Sequence, residues 1–252
     1  MVNYLSSVQT SMTEQFDKLE VFKLDTIWTI GHSLVFYGIP CHTRMTIVKL
    51  ENGDLFVHSP IKIDENLKTE IDKLGIVKYI IAPNFLHHIF ISDFSKLYPD
   101  AEIFISPVLK EKLEKHQIKK YILLDDELKL NWCDEIKPIL IKGNTMLGEF
   151  VFFHKKSKTL IVTDLIEYLT EDVKGMKDMN IMGKIFSWSF DLYGKPKPSP
   201  EFQWYTNDKI ALMDCLENII KLDFDSIIMS HGKLNDGDPK KLISMAYKMK
   251  SE

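Results

Sequence analysis

The sequence predicts an α/β protein with a four-layer αββα sandwich, in which two sheets face each other and helices cover the outer surfaces. Predicted strands come in two blocks along the chain, and helices are interspersed within each block. Hairpins join some consecutive strands, as at 43–60 and 149–165, and a hairpin makes its two strands antiparallel. A doubly wound parallel sheet is therefore the less favoured arrangement.

The first block alternates strands with short helices. Strands are predicted at 21–30, 43–50, 54–60, 77–83 and 101–107, and helices at 65–74, 91–99 and 108–116. Asn52-Gly53 lies between the second and third of these strands, and this dipeptide favours a tight hairpin turn. Apolar residues recur at helical spacing in 65–74, and Gly75 ends that helix.

The second block repeats this mixture. Strands are predicted at 135–143, 149–157, 158–165 and 224–232, and helices at 210–222 and 238–250. The strands on either side of the KKSK sequence at 155–158 form a hairpin. Both blocks are needed to build the sandwich, so we expect a single domain over 1–252 with an aromatic insertion at 166–206.

The insertion at 166–206 fits neither the strand nor the helix pattern. Its aromatic residues include Phe186, Trp188, Phe190, Tyr193, Phe202 and Trp204. Three prolines within 195–201 exclude a regular helix there. We expect a lid over the neighbouring strand ends or a surface through which the protein forms an oligomer. The alternative is a segment that only covers the core.

Composition and charge exclude several classes of protein. Hydrophobic residues make up 45% of the chain and the net charge is −4, which is ordinary for a soluble globular protein and offers nucleic acid no positive field. No apolar run is long enough to span a membrane, and the N-terminus does not resemble a signal peptide. Three cysteines without a CxxC pair indicate a reducing compartment. We therefore expect a cytoplasmic protein with a small-molecule ligand and neither nucleic-acid nor membrane partners.

Polar side chains lie at or just beyond the ends of four predicted strands. They are His58, the pair His87-His88, Asp164 and His231. Strand ends are common positions for catalytic and metal-binding groups, and imidazole with carboxylate is a ligand set for zinc or iron. Each residue also has a purely structural interpretation, as a hydrogen-bonding loop residue or a helix cap. Because adjacent residues of an extended chain point in opposite directions, His87 and His88 could bind one ion together only at a turn.

The remaining histidines have simpler interpretations. His154 precedes two lysines, so we expect it at a solvated hairpin end. His116 lies at the end of a lysine-rich helix, where it would complement the helix dipole. The sequence contains no nucleophile elbow, dinucleotide-binding loop or phosphate-binding loop, so the catalytic residues are left unassigned.

The order of these motifs resembles the metallo-β-lactamase fold over essentially residues 20–250. The segments TRMTIVKL, HSP, APNFLHH, FFHKKSKTLIVTDL and HG resemble one branch of this superfamily, the domain of unknown function DUF4336. The superfamily's H-x-H-x-D-H metal motif falls on Pro83, Phe85, His87 and His88, and a further ligand histidine falls near Asn144. Neither proline nor phenylalanine binds a metal, so the resemblance implies that one half of a dinuclear site is missing.

The resemblance implies that the other half survives with one zinc or iron ion. Its ligands would be His87, His88, Asp164 and His231, with His58 in an outer position that supports them. If all four bind, no coordination position is open, whereas a fourth position is free for water if either His87 or His88 faces away. The expected function is that of a metallo-hydrolase-like protein with a partly degenerate, at most mononuclear site and an unknown substrate. The alternatives are a non-catalytic binding module on the same fold and an iron-dependent oxygen or redox protein.

Overall fold

A computed structural model of the chain describes residues 18–36, 39–115, 118, 120–127, 129–170, 193–234 and 237–249. The strands are β1 Glu20–Lys23, β2 Ile27–Phe36, β3 Ile39–Lys49, β4 Asp54–His58, β5 Ile76–Ala82, β6 Glu102–Ile105, β7 Ile122–Leu123, β8 Ile136–Leu140, β9 Phe150–His154, β10 Thr159–Val162, β11 Glu167–Tyr168, β12 Pro196–Lys197 and β13 Ser226–Met229. The α-helices are α1 Glu65–Asp72, α2 Ile91–Leu97, α3 Lys110–Lys115, α4 Pro200–Tyr205, α5 Lys209–Ile220 and α6 Pro239–Tyr247. Within this described part of the chain, no helix is both long and apolar enough to cross a membrane.

The larger sheet contains seven strands in chain order, from β1 to β7. Strands β1 to β4 pair antiparallel, and β4 to β7 pair parallel. The predicted hairpin at Asn52-Gly53 is confirmed, with Gly53 in the left-handed region at φ +88°. The single strand predicted at 21–30 is wrong, because the chain reverses at 24–26 and forms β1 and β2 instead. Asp25 lies at that reversal with φ +53°.

The smaller sheet contains four strands in the order β13-β10-β9-β8. Strands β8, β9 and β10 pair antiparallel, which confirms the hairpin predicted across 155–158, and β13 pairs parallel with β10. A separate two-stranded sheet, β11 with β12, joins the two described ends of the insertion.

The apolar core confirms the four-layer sandwich. One buried cluster lies between the sheets and includes Phe56, Trp132 and Phe152, whose ring centroids are 5.1–6.3 Å apart. A second cluster joins the larger sheet to α1, α2 and α3, and a third joins the smaller sheet to α5 and α6. Each sheet therefore buries both faces, one against the other sheet and one against helices.

The strands that precede the candidate site residues end at one edge of the sandwich. Strands β4 and β5 are parallel in the larger sheet, and β10 and β13 are parallel in the smaller sheet. Their carboxyl ends therefore lie together within each sheet. Contacts between the sheets at this edge, such as the Phe150 amide donating to the Pro83 carbonyl at 2.9 Å, bring the two sets of loops together.

The insertion is described at 166–170 and 193–206. Phe202 is completely buried in the core, whereas 57% of Trp204 and 39% of Tyr193 are exposed. Phe186, Trp188 and Phe190 lie outside the described residues, as does His116. Tyr168 forms a β-bridge with Gly232, so the start of the insertion lies against the loop that carries His231.

Candidate metal centre

Three of the predicted ligands, His87, Asp164 and His231, meet at the shared strand-end edge. The Nε2 atoms of His87 and His231 are 3.0 Å apart. An Asp164 carboxylate oxygen lies 3.4 Å from Nε2 of His87, and the other lies 3.8 Å from Nε2 of His231. The three side chains are largely buried. Within the described part of the chain, they form the cluster of potential ligand residues that is spaced to hold a metal ion.

Both histidine rings are held through the nitrogen that faces away from the group. His231 Nδ1 lies 2.7 Å from the backbone carbonyl oxygen of His42, which can only accept, so Nδ1 carries the proton. His87 Nδ1 lies 2.6 Å from Ser59 Oγ. His231 Nε2 therefore presents a lone pair, which is the arrangement of most metal-binding histidines. His87 Nε2 does the same when Nδ1 donates to the Ser59 hydroxyl, which can either accept or donate.

The geometry fits a single metal ion. Zinc bound tetrahedrally at about 2.0–2.1 Å keeps its ligand atoms roughly 3.3 Å apart. The two Nε2 atoms are 3.0 Å apart, and each lies 3.4 or 3.8 Å from a different oxygen of Asp164. One ligand atom from each residue can be chosen so that all three lie within 4.8 Å of one another. Two imidazoles and one carboxylate also form a common catalytic ligand set, with one coordination position left for water. The site residues therefore fit the zinc or iron ion that the sequence predicts.

Electrostatics keep Asp164 and His231 in the protonation states that bind a metal ion. Burial opposes ionisation of Asp164, but the charges of His87 and His231 and hydrogen bonds from His87 and Asn84 lower its pKa to about 2. Burial, followed by the charge of His87, lowers the pKa of His231 to about 4. At neutral pH the site thus offers an ionised carboxylate and a neutral His231 imidazole.

The buried carboxyl group of Glu149 supports the loop that carries Asp164. Glu149 is completely buried, and its two oxygens accept the backbone N–H groups of Thr163 and Asp164 at 2.8 and 3.0 Å. Burial and the negative charge of Asp164 raise the pKa of Glu149 to about 7. The Glu149 carboxyl therefore fixes the path of the chain immediately after β10.

His88 lies outside the three-residue group, although the sequence placed it with the other ligands. The chain turns after β5, with the His88 amide donating to the Leu86 carbonyl at 2.9 Å. His87 then faces Asp164 and His231, while the buried His88 ring lies 6.3 Å from the Phe85 ring. Of the two histidines, only His87 therefore contributes to the group, even though the chain turns here.

His58, expected to support the ligands, is completely buried at the end of β4 and packs edge-on against Phe152, 5.3 Å between ring centroids. Neither of its ring nitrogens has a hydrogen-bond partner among the described residues. The next residue, Ser59, makes the contact with His87. Burial lowers the pKa of His58 to about 3, with a smaller contribution from His87.

The interpretation of His154 as a solvated residue is wrong. Its ring is completely buried at the end of β9, and Nδ1 lies 2.7 Å from Ser157 Oγ. Lys155 and Lys156 are exposed in the turn that follows β9, whereas all five residues of β9 are buried. The sequence expectation relied on those lysines and extended their exposure to the last residue of the strand.

Several residues that shape the site were missed by the sequence analysis. Ser59 belongs to the quoted HSP motif and has φ +53°, which is uncommon for serine and concentrates at functional sites. Arg44 on β3 donates to the backbone carbonyls of Met229 and Gly232, which flank His231. The position of Arg44 in the β3 sequence did not indicate this role, because the carbonyls that it contacts lie about 190 residues later in the chain.

Asn144, the position of the missing superfamily histidine, has a structural role. Its side chain donates to the Phe202 carbonyl at 2.8 Å and accepts the Leu147 amide at 3.1 Å. The side chain is buried and committed to these bonds, so it contributes nothing to a second metal position.

The fold is that of the metallo-β-lactamases. The profile of DUF4336, a domain of unknown function, matches residues 24–196, so the chain belongs to that family. No curated protein is significantly similar to it in sequence.

Solved structures support the fold alone, since their sequences are distant. The DIM-1 metallo-β-lactamase shares 15% identity with a TM-score of 0.62, covering 94% of this chain and 98% of its own. A metallo-β-lactamase of Pontibacter korlensis shares 13% identity with a TM-score of 0.61, covering 93% and 98%. A flavoprotein of Thermotoga maritima shares 15% identity with a TM-score of 0.62, but the match covers only 62% of that longer chain and 94% of this one.

Proposed function

We propose that the protein binds one divalent metal ion through His87, Asp164 and His231 and hydrolyses a small-molecule substrate with it. The observation that carries this proposal is the approach of two imidazole Nε2 atoms to 3.0 Å. The His231 tautomer is set by its hydrogen bond to the His42 carbonyl, so its Nε2 has no proton to donate. A cation between the two rings and the carboxylate satisfies all three groups at once.

The chain's own residues prepare the site for this chemistry. A zinc ion held by three protein ligands keeps a fourth position for water and lowers the pKa of that water to about 7. Ser59 and the His42 carbonyl orient the two rings, and Glu149 fixes the loop that bears Asp164. Because His87 replaces the superfamily's aspartate, the carboxylate that would orient the attacking water there is absent, and we expect slow turnover.

Two carboxyl groups of the insertion add a proton source. Burial raises the pKa of Glu167 well above its usual value and also raises that of Glu201, and the charge of Asp164 acts in the same direction on both. Burial and the charge of Asp164 therefore disfavour ionisation of both carboxyl groups. In this proposal Glu167, whose pKa is raised the more strongly, donates a proton to a leaving group rather than accepting one from water.

An iron-dependent oxygen or redox function is the second candidate, because two histidines and one carboxylate are also the ligand set of non-haem iron(II) sites. Metal content separates the candidates. We expect elemental analysis of the purified protein to find about one equivalent of zinc, and iron in its place would favour the redox function. Protein that takes up neither metal would contradict both and favour a non-catalytic binding module.

Activity tests the second half of the proposal. Zinc-loaded protein would be assayed against ester, thioester, amide and phosphodiester substrates, with the His231→Ala variant as the control for contaminating hydrolases. We expect activity that disappears with a chelator, returns with zinc and is absent from the variant. The oligomer contact expected through 166–206 stays a prediction that sedimentation measurements would test.

A further inference from the structure

We propose that Asn84 is a positioning residue that sets the separation of His87 and Asp164 and thereby the shape of the metal centre. This inference rests on the proposed metal-binding function. It concerns a buried side chain that touches no metal position itself, yet hydrogen-bonds to residues bearing two of the three ligands. Asn84 is completely inaccessible to solvent.

One end of the Asn84 side chain builds the turn that presents His87. Its Oδ1 accepts the backbone N–H groups of Leu86 and His87, each at 2.9 Å. The chain leaves β5 at Ala82 and must reverse within five residues to aim His87 back at the group. An asparagine side chain that accepts from the residues two and three positions later stabilises such a turn.

The other end of the same side chain holds Asp164. Its Nδ2 donates to Asp164 Oδ2 at 2.6 Å and to Thr163 Oγ1 at 2.9 Å. Both amide hydrogens are therefore used, and a Glu149 oxygen lies 3.4 Å from the same nitrogen. A carboxylate offers about four lone-pair positions, so Asn84 occupies one and leaves Asp164 able to bind a metal.

The position of Asn84 matters because its two contacts lie on different sheets. His87 follows β5 of the seven-stranded sheet, and Asp164 follows β10 of the four-stranded sheet. The separation of their metal-binding atoms therefore depends on how the two sheets meet at this edge. Asn84 is a short, rigid link across that junction, with every donor and acceptor of its amide engaged.

Only an asparagine has the required chemistry at this length. The two backbone N–H groups can only donate, so they must face Oδ1, and this assigns Nδ2 to Asp164 without ambiguity. Aspartate at this position would place a second carboxylate against Asp164. Serine could still accept within the turn, but its hydroxyl is too short to reach across the junction.

The test compares three variants of the full chain. Asn84→Ala removes both contacts, and Asn84→Ser keeps an acceptor for the turn while losing the link to Asp164. Asn144→Ala is the matched control, because Asn144 is also a buried asparagine that accepts a backbone N–H three residues later and donates to a carbonyl. Zinc affinity would be measured by competition with a chromogenic chelator, and cobalt(II) absorption would report the geometry of the centre.

We expect both Asn84 variants to lose about 10–100-fold in zinc affinity, the usual effect of removing a group that orients a metal ligand. Their cobalt(II) spectra should shift, while Asn144→Ala keeps the affinity within threefold and the wild-type spectrum. If the wild-type protein binds zinc and the Asn84 variants bind it equally well, this inference is overturned but the proposed function is not. An equal loss in Asn144→Ala also overturns it, since the effect would then be general destabilisation. Wild-type protein that binds no metal overturns the proposed function and this inference with it.

Discussion

Replacing His231 by alanine is the most direct perturbation of the proposed metal centre. The change removes one of three ligands and a ring whose Nε2 lies 3.0 Å from that of His87. Structural zinc sites with four ligands bind with about 10–16 kcal/mol, or roughly 3 kcal/mol for each ligand. Losing one ligand should therefore weaken zinc binding about 100-fold.

Thermal unfolding with and without zinc gives a sensitive assay for this loss. At a free zinc concentration of about 100 times the wild-type Kd, bound metal stabilises the folded state by about 2.7 kcal/mol. For a chain of this length that corresponds to an increase in Tm of roughly 5–11 °C. His231→Ala, with its Kd near the zinc concentration, should gain only about 0.4 kcal/mol, or about 1–2 °C.

His154→Ala is the matched control for loss of a buried imidazole. His154 is completely buried and hydrogen-bonded to Ser157 at 2.7 Å. His154 lies five residues beyond Glu149, which supports the metal group. Five residues of extended chain span about 16 Å, so His154 is remote from that group. This variant should be less stable but keep the full zinc-dependent increase in Tm. A full increase in His231→Ala, or an equal loss of it in His154→Ala, would refute the assignment of His231 as a ligand.

Two further substitutions test the packing around the site. Gly232→Ala should lower the free energy of unfolding, measured with urea, by at least about 1 kcal/mol more than Gly237→Ala does. Both glycines have positive φ, but only a Cβ at position 232 would lie 2.2 Å from the Tyr168 carbonyl oxygen. Equal losses would show that the Tyr168 contact is unimportant. Folding lowers the pKa of His58 from 6.5 to about 3, so the wild type should lose about 2 kcal/mol of unfolding free energy as the pH falls from 6.5 to 5. His58→Phe should remove this pH dependence. The difference in unfolding free energy between His58→Phe and wild type should therefore grow by about that amount between pH 7 and pH 5, and a constant difference would contradict a neutral, buried His58.

Local patterns were sufficient to predict most of the fold. Runs of apolar residues located the strands, Asn52-Gly53 located a hairpin, and the motif order predicted the DUF4336 family, whose model matches residues 24–196. Such signals are local, because side-chain periodicity and turn chemistry act over a few residues. The strand predicted at 21–30 failed because the prediction followed the apolar residues and passed over Asp25, a residue type that favours turns and tolerates the positive φ found there.

The candidate site depended more on tertiary structure. The sequence placed His87, Asp164 and His231 at strand ends but left open whether His87 or His88 faced inward, and the structure brings His87 to the group. The turn after β5 determines which histidine faces the group, and Asn84 hydrogen-bonds this turn to the carboxylate of Asp164, 80 residues later. Strand positions follow from each segment's own residues, but the approach of side chains from two sheets depends on how those sheets pack, which no local pattern records.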